Sequence, residues 1–217
     1  GNRRAERHGA EVKGIGVLVS GGGTNLQAIM DAIDRGEIPA KINLVLSNRA
    51  DAYGLVRAQN SGISTCYLNR KKYADSEAYH QAMLSQLKAH DVEYIVLAGY
   101  LYILSPELVE YYRNRIINIH PSLIPAFCGM GLYGQKVHQA VLDYGAKITG
   151  ATVHFVDEGA DTGPIILQKA IEVLPDDTAE SLGSRVLKVE HELLPKAVSL
   201  LVQDKIKVSG RRVSFEE

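Results

Sequence analysis

The sequence contains no tryptophan and only two cysteines, Cys66 and Cys128. Two isolated cysteines cannot build a disulfide framework or a cysteine-rich metal site, so the pattern favours a reducing cytoplasm. No apolar run approaches the roughly 18 residues of a membrane-spanning helix, which argues against a membrane partner. Basic and acidic residues nearly cancel (24 against 25, net charge −1), so the chain has no general electrostatic footprint for nucleic acid.

With 217 residues, of which 46% are hydrophobic, the chain is long enough for one α/β domain or two small ones. Residues 1–13 are polar and lack the apolar core of a signal peptide, so we interpret them as a flexible tail or an expression remnant. Residues 14–217 are predicted to form one domain. Its half over 14–120 is Rossmann-like, and its half over 121–217 carries a lid loop and a long helix.

Short apolar runs alternate with amphipathic stretches through the first half of the chain, which is typical of a doubly wound α/β fold. We expect a mostly parallel, Rossmann-like sheet with helices on both faces. Its strands are predicted at Ile15–Val19, Ile42–Leu46, Ile63–Tyr67, Tyr94–Ala98 and Ile116–His120.

The second half of the chain predicts a different pairing. Lys147–Val156 and Pro164–Val173 are separated by a short turn, so we expect them to form an antiparallel C-terminal strand pair. Thr178 is predicted to cap a long amphipathic helix that runs to about Leu201, with a kink or interruption at Pro195.

A glycine-rich loop, Ser20–Asn25, lies between the first strand and the first helix. Backbone N–H groups at such a helix N-terminus bind phosphate, and a monophosphate is the simplest ligand. The alternative is a tight turn with Thr24 or Asn25 as the N-cap. Leu26 stands where the dinucleotide fingerprint needs its last glycine, and no lysine follows as in a P-loop.

Asn118 and His120 come two residues apart at the end of the Ile116–His120 strand, so their side chains share a face. The carboxyl ends of strands are where open α/β sheets bind ligands. The alternative is that the two side chains only satisfy loop backbone groups. A carboxylate from the acidic turn 157–163 would hold the imidazole in one tautomer and favour its protonated form, but the residues leave Asp157, Glu158 and Asp161 open.

This constellation suits a reaction in which negative charge builds on an oxygen, such as acyl transfer. No serine or cysteine pairs obviously with His120, since Ser122 lies beyond a proline and Cys128 in a loop. Direct transfer to a bound amine is therefore favoured over a covalent acyl-enzyme. The apolar segment Tyr100–Leu104 is either core or the wall of a pocket for a flat apolar group.

At the level of whole motifs, the chain resembles the phosphoribosylglycinamide formyltransferase (glycinamide ribonucleotide transformylase) family, from about residue 15 to near 201. The motifs that carry the resemblance are S-G-G-G-T-N-L-Q-A-I, L-A-G-Y-L-Y-I-L-S-P, I-N-I-H-P-S-L-I-P, V-H-F-V-D-E-G-A-D-T-G-P-I-I and V-E-H-E-L-L-P, in this order.

The resemblance implies roles for individual residues, with no metal. The D-x-G before the final strand selects Asp161 from the acidic turn. The implied catalytic residues are Asn118, His120 and Asp161. The implied ribonucleotide-binding residues are Gly23, Thr24, Asn25, Asn118 and Glu190. The implied folate-binding residues are Leu101, Tyr102, Ile103, Leu104 and Asp161 with the backbone of its turn. His154 is expected to play a structural or supporting role.

The implied reaction transfers the formyl group of 10-formyltetrahydrofolate to the amine of glycinamide ribonucleotide, by direct attack through a tetrahedral intermediate. His120, as imidazolium, and the Asn118 amide are expected to stabilise the oxyanion, while Asp161 sustains the charge. The expected partners are these small molecules alone, with neither nucleic acid nor membrane, and the expected assembly is a monomer or homodimer.

Two features depart from the family pattern. Tyr102 stands where the family usually has arginine, and the loop Phe127–Val137 is longer than the common form. Two alternatives remain: a formyltetrahydrofolate hydrolase, expected to carry an extra N-terminal domain, and a non-catalytic folate or nucleotide sensor. A methionyl-tRNA formyltransferase is expected to carry an added RNA-binding domain and a basic surface.

Overall fold

The structure, a computed structural model, describes residues 12–216. Residues 1–11, which make up most of the predicted tail, lie outside the described residues. The division into a tail and one domain over 14–217 stays a prediction.

Seven of the strands form one sheet. They are β1 Lys13–Val19, β2 Ala40–Ser47, β3 Thr65–Tyr67, β4 Tyr94–Leu97, β5 Ile116–His120, β6 Ile148–Phe155 and β7 Ile165–Glu172. The spatial order is β3-β2-β1-β4-β5-β6-β7. Strands β1 to β5 pair in parallel, whereas β6 is antiparallel to both β5 and β7. The predicted mostly parallel sheet with an antiparallel C-terminal pair is therefore confirmed.

Helices cover both faces of the sheet, and none of those within residues 12–216 is long and apolar enough to cross a membrane. They are α1 Thr24–Asp34, α2 Tyr53–Asn60, α3 Ser76–Ala89, α4 Pro106–Tyr111, α5 Gln135–Tyr144 and α6 Ala179–Val202. A short 3-10 turn covers Arg70–Lys72.

The two faces of the sheet carry separate hydrophobic cores because successive strand residues point to opposite sides. On β1, Val17 and Val19 pack with α1 and α6, whereas Leu18 packs with α3 and α4. Tyr79 and Met83 of α3 are fully buried in the second core. Strands β1, β2, β4 and β5 are thus largely buried on both sides, which explains their mostly apolar sequences, whereas β3 lies at the edge of the sheet and is partly exposed.

The helix ends follow the sequence signals, with one exception. The hydroxyl of Ser105 accepts the Leu108 N–H at the start of α4, and Thr178 caps α6 in the same way. Pro195 lies inside α6 and does not interrupt it, so that part of the prediction was wrong, while a kink stays a prediction. Pro195 is buried with the apolar face of the helix, so packing can outweigh the missing N–H.

A C-terminal hairpin was not predicted. Strands β8 Ile206–Ser209 and β9 Arg212–Phe215 pair antiparallel and form a separate two-stranded sheet. The side chains of Ile206, Val208 and Val213 pack against the core.

Candidate active site

A cavity of about 1060 Å³ opens at the carboxyl ends of β4 and β5. Binding sites of open α/β sheets occupy this edge. Nine of the residues singled out from the sequence line the cavity: Asn25, Leu101, Tyr102, Ile103, Leu104, Asn118, His120, Asp161 and Glu190.

Asn118 and His120 both line the cavity, as their spacing on β5 predicts. His120 is 4% exposed, and its Nε2 lies 2.9 Å from the carbonyl oxygen of Phe127. A carbonyl only accepts, so Nε2 carries a proton in this arrangement. The other ring nitrogen, Nδ1, lies 3.6 Å from Oδ2 of Asp161.

The structure gives different partners to the three acidic side chains among which the sequence could not choose. The carboxylate of Asp157 accepts hydrogen bonds from the Gly159 N–H and the Thr162 hydroxyl, and so builds the turn itself. Glu158 pairs with the guanidinium of Arg113. Asp161 is the carboxylate that faces His120, and its backbone lies in the left-handed region with φ 57°. A strained aspartate at this point is typical of a functional site.

Burial and charge set the protonation states of this pair. Burial raises the pKa of Asp161, but the nearby His154 and His120 and the Gly129 N–H outweigh it, so the net pKa is lowered and Asp161 is ionised. Burial lowers the pKa of His120 more than the Phe127 carbonyl and Asp161 raise it. Because desolvation dominates, a neutral His120 at rest replaces the expected imidazolium.

His154 lies beside two of the residues implied to be catalytic, which agrees with the structural or supporting role expected of it. It stands opposite Asn118 in the β5–β6 pairing, and its Nε2 lies 3.1 Å from the Asn118 amide nitrogen. Its Nδ1 lies 2.8 Å from the carbonyl oxygen of Phe155, to which it can only donate, so Nε2 accepts from Asn118. The same Nε2 lies 3.6 Å from Asp161. His154 therefore orients Asn118, a role that depends on strand register and has no local sequence signal.

The segment predicted to hold folate forms an apolar wall of the cavity. Leu101, Tyr102 and Ile103 are 39–51% exposed there, whereas Leu104 is 3% exposed and belongs to the core. Only the first three side chains are therefore free to cover a flat ring. The hydroxyl of Ser20 accepts the Leu101 N–H at 3.1 Å and anchors the wall to the end of β1.

Tyr102, which stands where the family usually has arginine, has a cationic neighbour. The guanidinium carbon of Arg70 lies 5.2 Å from the centre of its ring, within the range of a cation–π contact. Arg70 also lines the cavity, so a positive charge is present at this wall even though position 102 is a tyrosine.

Of the three glycine-loop residues implied to bind the ribonucleotide, only one lines the cavity. Asn25 lines it and donates from Nδ2 to Glu190 at 3.1 Å. Thr24 instead lines a separate depression of about 410 Å³, and Gly23 lines neither. The N-cap of α1 is Gly23, with no side-chain cap, so the tight turn capped by Thr24 or Asn25 is not formed. An uncapped helix N-terminus leaves N–H groups for an anion.

Glu190 is 8% exposed and also lines the cavity. Burial raises its pKa to about 7, because the hydrogen bond from Asn25 offsets only part of the desolvation. The carboxyl group is therefore close to half-protonated near neutral pH and can both donate and accept hydrogen bonds. His138 of α5 also lines the cavity, and burial lowers its pKa.

The loop after β5 supplies no obvious nucleophile. The Ser122 hydroxyl donates to the carbonyl of Ala126 at 2.6 Å, inside the loop. Burial, together with the charge of Asp161, raises the pKa of the Cys128 thiol and so disfavours its nucleophilic thiolate. Residues 129–134 of this loop line the cavity, while the opening and closing of a lid stays a prediction. Within residues 12–216, no cluster of three His, Cys, Asp or Glu side chains could hold a metal ion.

Comparison with known proteins identifies relatives over most of the chain. The model of the formyl transferase family matches residues 13–198. The phosphoribosylglycinamide formyltransferase of Haemophilus influenzae is 39% identical over 197 residues, which cover 91% of each chain. The chloroplastic phosphoribosylglycinamide formyltransferase of Vigna unguiculata is also 39% identical, but the match spans 62% of its length. The solved structure of glycinamide ribonucleotide transformylase 1 from Symbiobacterium toebii superposes with a TM-score of 0.90, at 42% identity and 95% coverage of both chains.

Proposed function

The chain belongs to the formyl transferase family, and we propose that it transfers a formyl group from 10-formyltetrahydrofolate to the amine of glycinamide ribonucleotide, in purine biosynthesis. The observation that carries this proposal is the placement of Asn118, His120 and Asp161 in one cavity with the exposed apolar wall at residues 101–103. The cavity volume of about 1060 Å³ suits two small-molecule substrates.

The two ends of the cavity fit the two substrates. The exposed side chains of Leu101 and Ile103 suit the flat ring of a folate, next to the turn that carries Asp161. Glu190 suits the hydroxyl groups of a ribose, and the uncapped start of α1 suits the phosphate. The amine and the formyl group would then meet near Asn118.

The formyl donor brings a carbonyl carbon bonded to a nitrogen that can leave with a proton. In the transfer, a bond forms from the amine nitrogen to this carbon, the bond to the folate nitrogen breaks, and a proton passes from the amine to the folate nitrogen. Neither Ser122 nor Cys128 is placed to form an acyl-enzyme, which supports direct attack by the amine.

The residues of the cavity stabilise the charge that develops on the formyl oxygen. One N–H of the Asn118 amide is held by His154, which leaves the other for the oxygen. The Nε2–H of His120 is bonded to the Phe127 carbonyl at rest and exchanges this partner for the oxygen. Asp161 beside Nδ1 stabilises a proton gained by His120 as the charge grows.

The experiment mixes the protein with both substrates and follows release of tetrahydrofolate, with each substrate omitted in turn. Release that requires the ribonucleotide supports the transferase, release without it identifies a hydrolase, and folate binding without release identifies a sensor. Asn118→Ala and His120→Ala should each lower kcat about 100-fold or more with little change in KM, as for an oxyanion donor. His90→Ala, at the C-cap of α3 and outside the cavity, is the control, and near-normal turnover of His120→Ala would refute the mechanism.

We also propose that residues 14–217 act as one domain, in the cytoplasm, as a monomer or homodimer. Cys66 and Cys128 are both free thiols in the structure, which is compatible with a reducing compartment. Light scattering of the purified protein distinguishes the two assembly states.

A further inference from the structure

The β8–β9 hairpin lies beyond residue 198, where the match to the family model ends. Its strands are joined by a two-residue turn, Gly210 and Arg211, in which the glycine supplies the positive φ of 59°. Packing of its apolar side chains against the core fixes the position of the hairpin, and therefore that of its turn.

The side chain of Arg211 reaches from this turn to the segment that carries Asp161. Its Nη2 donates to the carbonyl oxygen of Thr162 at 2.8 Å and lies 3.5 Å from that of Gly163. These are the two residues that directly follow Asp161 in the chain. Both contacts come from the same nitrogen, so the short bond fixes the Thr162 carbonyl, and the Gly163 carbonyl lies at the limit of hydrogen-bond distance.

The segment needs such support because its backbone is constrained. Asp161 has a left-handed φ of 57°, a conformation that aspartate adopts less readily than glycine, although more readily than most other residues. At Gly163 the backbone runs so close to β6 that an added Cβ would lie 1.8 Å from the carbonyl oxygen of Phe155. On the other side of the turn, Arg113 pairs with Glu158. Asp161 therefore lies between two arginine anchors, one from α4's end and one from the hairpin.

We propose that Arg211 is a positioning residue: by holding the carbonyl of Thr162 it keeps the Asp161 carboxylate beside Nδ1 of His120. The inference deepens the proposed function and rests on it, since it matters for catalysis only if Asp161 supports His120. The geometric part, that Arg211 controls the distance between Asp161 and His120, can be measured without turnover.

The test compares Arg211→Ala with Arg211→Lys and Arg212→Ala. Arg212 is the next residue, is exposed, and makes no side-chain hydrogen bond or ion pair with any residue between 12 and 216, so it is the matched control. The first readout is the pKa of the His120 imidazole, measured by NMR titration. Because Asp161 raises this pKa, Arg211→Ala should lower it in the same direction as Asp161→Asn, and Arg212→Ala should leave it unchanged.

The second readout is steady-state transfer. We expect Arg211→Ala to lower kcat about fivefold at nearly constant KM for the ribonucleotide, with partial recovery in Arg211→Lys, which keeps one charged donor. Thermal unfolding of each variant tests whether the fold is retained. We expect little change in Tm, because a solvent-exposed arginine contributes little to global stability.

The outcomes distinguish the claim that Arg211 positions Asp161 from the claim that Asp161 acts in catalysis. A lower His120 pKa with unchanged turnover in both Arg211→Ala and Asp161→Asn would support the positioning by Arg211 and refute the catalytic role of Asp161. An unchanged His120 pKa in Arg211→Ala overturns the inference, whether or not turnover falls. A loss of turnover that Arg212→Ala reproduces also overturns it, since the effect would then belong to the hairpin as a whole.

Discussion

Replacement of Glu190 by glutamine should make the protein more stable at neutral and alkaline pH. The side chain is buried, and its pKa is raised from an ordinary 4.5 to about 7 by the loss of water around the charged form. Glutamine has the same shape, carries no charge, and its carbonyl oxygen can still accept the Asn25 hydrogen bond. The substitution therefore removes the cost of burying the charge and little else.

The size and pH range of the effect follow from the two pKa values. A folded-state pKa above the unfolded value means that the protonated carboxyl group favours the folded state at low pH, and that this contribution is lost as pH rises from 4.5 through about 7. At roughly 1.4 kcal/mol per pKa unit, the wild type should lose about 3 kcal/mol relative to the glutamine variant over this range.

Urea unfolding at a series of pH values between 4 and 8.5 measures the difference directly. The two proteins should be nearly equally stable at pH 4, and the variant should be the more stable by about 3 kcal/mol at pH 8. Glu192→Gln, which replaces an exposed carboxylate paired with Lys169 two residues further along α6, is the control for removing a negative charge from this helix. A stability difference that is constant with pH would refute the assignment of a buried, elevated carboxyl group at position 190.

Two further substitutions test the walls of the cavity. Ser20→Ala removes the hydroxyl that holds the Leu101 N–H, so KM for the formyl donor should rise about fivefold with kcat nearly unchanged, while Ser61→Ala at the end of α2 serves as control. An unchanged KM would show that Ser20 does not hold the wall. Gly163→Ala should lower the free energy of unfolding by roughly 2–3 kcal/mol in urea titration, because its Cβ would overlap the Phe155 carbonyl; a stability equal to wild type would contradict the close approach.

The central strands of the sheet could be predicted from the sequence because they are buried on both sides. The run Ile15–Val19 contains no polar residue, and the structure places it within β1. Polar residues that cap helices, such as Ser105 and Thr178, were also predictable, since the hydrogen bond lies within four residues of the chain.

The hairpin β8–β9 escaped prediction for the opposite reason. Its strands are four residues long, and much of its surface is exposed, so the alternation of apolar and polar residues in Ile206–Ser209 is too short to distinguish from a loop. The continuity of α6 through Pro195 was also not predicted, because local sequence carries no information on the tertiary packing that stabilises the helix at this point.

Within the site, the sequence indicates which residues are present, but it does not show which of them contact each other. Spacing alone places Asn118 and His120 on one face of a strand. The partnership of Asn118 with His154 depends on the register between β5 and β6, and the elevated pKa of Glu190 depends on burial against α1. The sequence argument for a charged His120 considered a nearby carboxylate but had no measure of desolvation, which proves to be the larger effect.

The hydrogen bond from Asn25 to Glu190 joins positions 165 residues apart. The end of the cavity proposed to bind the ribonucleotide is therefore assembled from both ends of the domain, and it is complete only when α6 is docked onto α1. Any change that separates these two helices should weaken ribonucleotide binding even where it leaves the sheet intact.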